Sequence, residues 1–312
     1  MEQKIQEKSD IDNGGIGLIY GISDKPKLSL QILLGLQHIF AAFGGIIVVP
    51  LVISSSLGFD AKTSTALMSA TILAAGIATF IQAKGIGPVG SRVACIMGTD
   101  FTFVSPAISV GSIAGLPGIL GATILGAFIE IILSFFIKPL MKLFPPLVTG
   151  TVVCLIGLTL IPVSIDWAAG GNGAADYGSM LNISIALFVM IFTLLLNHYA
   201  KGLTSTASIL IGMVFGYIIC IPIGMVDFSV VKEANWVSIP KIFEYGIDFN
   251  LKYLIPFIPA YLVTTIETVG CLKAICQVSG IKDNDEIIGR GVLSDGIGSM
   301  IAGAVGTFPT TS

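Results

Sequence analysis

Apolar runs long enough to cross a bilayer alternate with short polar segments along almost the whole chain. A hydrocarbon core of about 30 Å needs about 20 apolar residues in helix. On that criterion spans fall at 30–54, 64–83, 117–137, 146–165, 180–197, 205–226 and 251–276. Two further segments, 93–112 and 288–306, are apolar but interrupted by Gly, Pro and charge; with them the count is nine. Residues 1–28 are polar and lack an apolar core ahead of a small-residue cleavage site, so they read as a cytoplasmic tail and not as a removable signal. The first span then serves as the targeting element.

The loops test this count. Lys and Arg collect on the cytoplasmic side of membrane proteins. With the N-terminus inside, 12 of the 16 basic residues fall in cytoplasmic segments, and the 166–179 loop, read as external, has none. Deleting the weak span at 93–112 would invert everything after it, so that segment is expected to cross. Its sequence is poor for a continuous helix. Asp100-Phe-Thr-Phe-Val104 is β-branched and aromatic, and Ser105-Pro106 follows as a cap and first-turn pair. The expectation is a short extended stretch over 100–104 at membrane depth, then a half-helix from Pro106, with a Pro-kinked packing helix as the alternative. Such backbone survives there only when covered by protein or lining a polar cavity.

Composition agrees with a membrane chain: 54% of residues are hydrophobic, 11% are charged, and 37 are Gly. An ordinary soluble domain carries about 25% charged residues. A net charge of −3 without a basic run argues against a nucleic-acid partner. Cys95, Cys154, Cys220, Cys271 and Cys276 form no C-x-x-C pair and read as small packing residues. Gly85-Ile-Gly-Pro-Val-Gly90 matches a dinucleotide fingerprint outside any strand–helix context, and Asn182-Ile-Ser is a chance sequon. No hydrolase, zinc or phosphate-loop motif supports an enzyme, and no cofactor or metal is implied.

Four polar residues at membrane depth are candidates for function. Glu267 lies inside the 251–276 span, where a carboxylate costs at least about 2.5 kcal/mol and is kept by a partner or by a task. Its neighbours Thr264, Thr265, Thr268 and Cys271 form a mildly polar wall. Asp295 is either a second site residue or an interfacial one, being five positions from Arg290. His38 is the only His within a span core; a histidine there suits proton coupling, although a lone buried His is more often a hydrogen-bonded spacer. Asp100 stands beside the interrupted third span.

Together these residues resemble the nucleobase–ascorbate transporter (nucleobase–cation symporter-2) family. The resemblance rests on Gln37-His38-Ile-Phe-Ala-Ala-Phe-Gly, Met97-Gly-Thr-Asp-Phe-Thr-Phe-Val-Ser-Pro, Pro145-Pro-Leu-Val-Thr-Gly, Glu267-Thr-Val-Gly270 and Gly291-Val-Leu-Ser-Asp-Gly-Ile-Gly298. The loop Trp167-Ala-Ala-Gly-Gly…Asp176-Tyr-Gly is most similar to the xanthine/urate permease branch. The resemblance implies an all-α polytopic protein built from two inverted seven-span repeats, with a short strand interrupting the third span. It divides the chain into a tail (1–28), core-domain spans one to four (29–145), gate-domain spans five to seven (146–226), an external loop (227–250), and core-domain spans eight and nine with the start of the tenth (251–312). It further implies that Glu267 and Phe101 bind the base, with Asp100 and Thr102 beside them, and that His38 and Asp295 serve coupling or site architecture. A homodimer is implied for the full-length protein.

Three departures from the family pattern stand out. Cys271 occupies a position where most xanthine-type members carry Asp, and Asp100 one where they usually carry Ser. The chain stops at Ser312, just before the tenth-span signature with its second substrate clamp; equal halves would give roughly 430 residues. A fragment of this length is expected not to transport alone.

The expected function is secondary active uptake of a purine base, xanthine or urate foremost, by cation symport, with a proton as the first candidate and Na⁺ the second. The expected cycle is an elevator-like or rocking alternation within the plasma or inner membrane. A uracil or other nucleobase permease, an anion transporter of similar architecture, and a channel are the competing readings.

Overall fold

The computed structural model describes residues 24–139, 146–171, 174–200, 203–206, 208–226, 240–281 and 285–312. The proposed tail therefore lies mostly outside the described residues, as does 227–239 of the external loop. Helix α1 runs over Leu28–Ser56 and α2 over Ala61–Lys84. Next come strand β1 (Gly98–Thr99), a 3₁₀ turn (Phe101–Phe103) and α3 (Val104–Ser134). Helices α4 (Pro146–Ala168), α5 (Met180–Tyr199) and α6 (Ser208–Ile223) follow. The chain closes with α7 (Phe257–Val278), α8 (Asp285–Val305) and β2 (Thr310–Thr311). Among the described residues five helices are long and apolar enough to cross a membrane: α1, α2, the 3₁₀ turn with α3, α5 and α7.

The expected 93–112 and 117–137 spans are joined into α3, but not smoothly. Gly115 has φ +62° and ψ −163°, a region open essentially to glycine alone, and there the chain turns from one helical segment into the next. Among the described residues the two segments on either side of Gly115 overlap the expected 93–112 and 117–137 spans.

The interruption of the third span lies earlier than expected. Residues 100–104 are not the extended stretch: extension ends at Asp100 (φ −116°, ψ 144°), and the helical backbone starts at Phe101. Asp100 makes this early start, because its Oδ1 accepts the Thr102 N–H at 2.7 Å. Asp caps turns in this way by replacing a missing helical acceptor. Ser105-Pro106 is thus not the cap. Pro106 falls in the first turn of α3, where a missing N–H goes unused.

β1 and β2 pair antiparallel, Gly98 opposite Thr311 and Thr99 opposite Thr310. Hydroxyls fasten both strands in the same manner. Thr79 Oγ1 on α2 accepts the Met97 N–H at 2.9 Å and donates to the Met97 carbonyl at 3.3 Å. Ser299 Oγ on α8 accepts the Thr310 N–H at 3.1 Å and donates to the Thr310 carbonyl at 2.9 Å. Thr99 Oγ1 adds a bond to the Ile46 carbonyl of α1 at 2.9 Å. Backbone at membrane depth must find its partners within the protein, and side-chain hydroxyls do so here where the ladder is only two residues long.

α3 packs on α8 and α7, and α8 on α2, while α5 and α6 pair with each other and α6 reaches α1. Phe103, Phe257 and Tyr261 fill the centre, the Phe103 ring 4.9 Å from Tyr261 (edge-on) and 6.2 Å from Phe257 (stacked). Around them lie Val49, Ile53, Leu67, Leu120 and Phe308, all fully or almost fully buried. Large apolar side chains on α5 and α6 point outward instead, Leu194 at 61% exposure among them, as lipid-facing positions would. Asn182 on α5 is buried against the 166–179 loop, its Nδ2 donating to the Ala169 and Asp176 carbonyls at 3.3 and 3.2 Å.

Candidate functional site

α7 turns a row of polar side chains toward β1, the 3₁₀ turn and α8. Three threonines on it are fully buried, and each is already committed. Thr265 Oγ1 donates to the Tyr261 carbonyl at 2.7 Å, Thr264 Oγ1 to Glu130 Oε1 at 2.8 Å, and Thr268 Oγ1 to Asp295 Oδ2. Glu267, on the same helix, is left over. Its Oε2 is buried without a hydrogen-bond partner, as is Thr102 Oγ1 on the 3₁₀ turn. The Thr102 hydroxyl is the hydrogen-bonding group that faces Glu267, outside the distance of a formed bond, and the Asp100 carboxylate is its charged neighbour. Phe101, on the same turn, is half-buried and packs against the aromatic core. Asp100 and Thr102 are therefore neighbours of Glu267, and Phe101 lies between them on the turn.

Asp295 is fully buried and not interfacial. Its Oδ2 accepts from Thr268 Oγ1 and, at 3.3 Å, from Thr311 Oγ1; its Oδ1 accepts from Ser312 Oγ at 2.6 Å. Ser312 Oγ in turn accepts from Gln82 Nε2 at 2.7 Å, and Gln82 Oε1 accepts the Ser91 N–H at 3.1 Å. One carboxylate thus ties α7, α8 and β2 together, and a buried amide extends the tie to α2. A fully connected network of this kind fixes a single arrangement, since any member left unpaired at this depth is costly.

His38 stands apart from these groups. Its ring is exposed, and its Nδ1 lies 2.9 Å from the Leu34 carbonyl, one helical turn back. It lines an apolar cavity of about 610 Å³ between α1, α2 and residues 94–97, with Phe43, Ile46, Thr79, Cys95 and Met97 among the walls. No hydrogen bond links His38 to the carboxylates among the described residues.

Two features of the site escaped the sequence reading. Glu130 on α3 is fully buried, with Oε1 held by Thr264 and Oε2 unpartnered. Asp295 and Asp100 are its charged neighbours. The signal was present, a lone carboxylate within the 117–137 apolar run, the same criterion that drew attention to Glu267. The second is a pair of thiols: Cys95 Sγ and Cys271 Sγ are 3.8 Å apart. No spacing rule finds a pair so distant in sequence. The ion pairs among the described residues, Lys138–Asp285 at 3.0 Å and Arg290–Glu286 at 3.3 Å, lie at helix ends and leave this acidic cluster uncompensated.

A permease family model matches residues 30–312, nearly the whole chain. The chain belongs to this family, the nucleobase–ascorbate transporters. A Clostridium perfringens protein provisionally named a purine permease is 66% identical over 306 residues, covering 98% of this chain and 68% of that one. The uric acid transporter of Escherichia coli is 39% identical over 285 residues, 90% of this chain and 59% of the relative. A uric acid permease of Bacillus subtilis is 33% identical over 286 residues, 91% and 66% respectively. The chain thus spans about two thirds of the length of these relatives, or somewhat less. Membership and the apolar helices make it a multi-pass membrane protein of a permease family, not an enzyme. Thr79 of α2 and Ser299 of α8 apply the same fastening device, one at the residue before β1 and the other in β2.

Proposed function

We propose that the protein is a secondary active transporter of nucleobases, with a purine of the xanthine or urate type as cargo. What carries the reading is one observation: Glu267 Oε2 and Thr102 Oγ1 are both buried in the neighbourhood of the interrupted third span, and neither has a partner. Unpaired polar atoms at this depth each cost about 1–3 kcal/mol and persist where a ligand is to satisfy them. A carboxylate only accepts, so Glu267 suits ring N–H groups, in a charge-assisted bond about twice as strong as a neutral one. A hydroxyl also donates, so Thr102 suits a purine carbonyl. The half-buried Phe101 ring covers the flat face by stacking. Asp100 fixes the turn that presents both residues.

In this reading a proton, with Na⁺ as the second candidate, accompanies the base. Protonation of one carboxyl of the cluster discharges the empty site for its return, Asp295 keeps the strands and helices of the site in register, and His38 acts from the adjoining cavity. Residues 29–145 and 251–312 form the substrate-carrying core and 146–226 the gate, in two inverted repeats. The core moves against the gate in an elevator-like or rocking cycle, in a homodimer within the cell membrane, N-terminus inside. Names of relatives that mention purine and uric acid agree with this cargo.

The test is uptake of radiolabelled xanthine by the native protein, with urate, hypoxanthine and uracil as competitors and Glu267→Gln alongside. Xanthine or urate should compete best. Gln replaces one acceptor by a donor aimed at a ring N–H, so its apparent affinity should fall at least about tenfold, the loss of one charge-assisted bond. Native affinity in Glu267→Gln would remove the clamp, and an uptake indifferent to the pH and Na⁺ gradients would remove symport.

A further inference from the structure

Cys95 and Cys271 are 176 positions apart in the chain, and their sulfurs are 3.8 Å apart. Both are free thiols. Cys95 lies in the extended segment that runs into β1, Asp100 and Phe101, and it is 5% exposed. Cys271 is half-buried on α7, one helical turn beyond Glu267, so it shares that residue's face of the helix. Cys95 also lines the 610 Å³ cavity that holds His38, and Asp295 and Ser312 are among its neighbours. The pair thus joins the segment leading to Asp100, Phe101 and Thr102 with the face of α7 that bears Glu267, and Cys95 opens on the cavity.

We propose that Cys95 and Cys271 are an oxidisable pair whose disulfide locks the third-span strand to α7 and shuts the site; this rests on the reading of that site as the base pocket. The oxidant is a peroxide. One sulfur attacks a peroxide oxygen, the O–O bond breaks, and a sulfenic acid forms with release of water. The second sulfur then displaces the sulfenic oxygen as water, giving the S–S bond. Two thiols and one hydrogen peroxide become one disulfide and two waters, which balances atoms and electrons. A disulfide needs sulfurs about 2 Å apart, so roughly 2 Å of the present gap has to close, in part by side-chain rotation and in part by approach of the two segments. Once closed, the wall bearing Glu267 and the wall bearing Asp100, Phe101 and Thr102 are covalently joined. A misplacement of about 1 Å in such a polar constellation is enough to cost one to two orders of magnitude. A thiol reductant reopens the bond by exchange.

The experiment uses native protein in membrane vesicles treated with hydrogen peroxide, then with dithiothreitol. After blocking of free thiols and proteolysis, mass spectrometry should find a peptide joining Cys95 to Cys271. Xanthine uptake should fall at least about tenfold on oxidation and return on reduction. Cys95→Ser and Cys271→Ser, each compared with itself before oxidation, should keep their uptake within about twofold. Absence of the linked peptide at saturating peroxide overturns the proposal. So does a linked peptide with undiminished uptake, or an equal loss in the serine variants. If the unoxidised protein takes up no purine, the function proposed above fails, while the linked peptide still decides whether the pair closes.

Discussion

Replacing Asp295 tests the idea that one carboxylate holds the site together. In Asp295→Ala three accepted hydrogen bonds disappear, those from Thr268, Thr311 and Ser312. The donors are not all stranded: Thr268 Oγ1 and Thr311 Oγ1 lie 3.0 Å from each other, and Ser312 keeps the amide of Gln82. The loss is then close to the net worth of the bonds, about 1 kcal/mol each, with a smaller addition for the void left by the carboxyl group. That gives about 3–4 kcal/mol for Ala. Asn keeps one acceptor oxygen, and its amide can donate to a reoriented hydroxyl, so about 1 kcal/mol is expected. At about 2–4 °C per kcal/mol for a chain of a few hundred residues, the melting temperature in detergent should drop by roughly 10 °C for Ala and by about 3 °C for Asn. The assay is the fraction of native protein remaining monodisperse by size-exclusion after graded heating. Asp295→Ala melting within about 2 °C of native would refute the network's role, and equal shifts in Ala and Asn would refute the bond count.

Thr264→Val removes the hydroxyl that holds Glu130 and should cost about 1–3 kcal/mol, whereas Glu130→Gln keeps the acceptor oxygen and should cost less than about 1 kcal/mol, both read by the same thermal assay. A methyl at Gly126 would run into the Tyr261 ring, which its 2.7 Å bond to the Thr123 carbonyl keeps from swinging away. Gly126→Ala should therefore destabilise by about 1–3 kcal/mol, and a double-mutant cycle should show most of that penalty gone once Tyr261 is replaced by Leu. In the 166–179 loop Tyr177 OH donates to Asp166 Oδ1 at 2.6 Å, and that carboxylate pushes the phenol above its ordinary value of 10.0. The bond contributes at every pH below that value and is lost as pH rises through the raised one. The ultraviolet titration attributable to Tyr177 should move to lower pH in Asp166→Asn; no movement would deny the bond in solution.

The spans were legible because lipid forces each element to be apolar over a fixed length, and a length criterion needs no knowledge of neighbours. The site was legible in part for the converse reason: a carboxylate such as Glu267 is conspicuous in such a run. Glu130 satisfied the same criterion and was overlooked, a failure of application and not of signal. The break in the third span was seen, yet Ser105-Pro106 drew the boundary too late, because the capping strength of Asp100 two residues before Thr102 outweighs it. Asp295 was ambiguous because proximity to Arg290 in sequence says nothing about depth when a helix rises about 1.5 Å per residue; five residues carry it inward to full burial. The Cys95–Cys271 contact and the convergence of Thr311 and Ser312 on Asp295 depend on how distant segments meet, which no local pattern encodes.

The twin fasteners of the strands restrict what this protein can become. At 79 and 299 a single hydroxyl serves one residue's amide and carbonyl at once, a task that an aliphatic side chain of the same size cannot perform. Drift at these two positions should be confined to exchange between serine and threonine, while the surrounding outward-facing apolar surface is free to vary. Because the fasteners belong to α2 and α8 and not to the strands, the paired strands and both helices are held together as one unit.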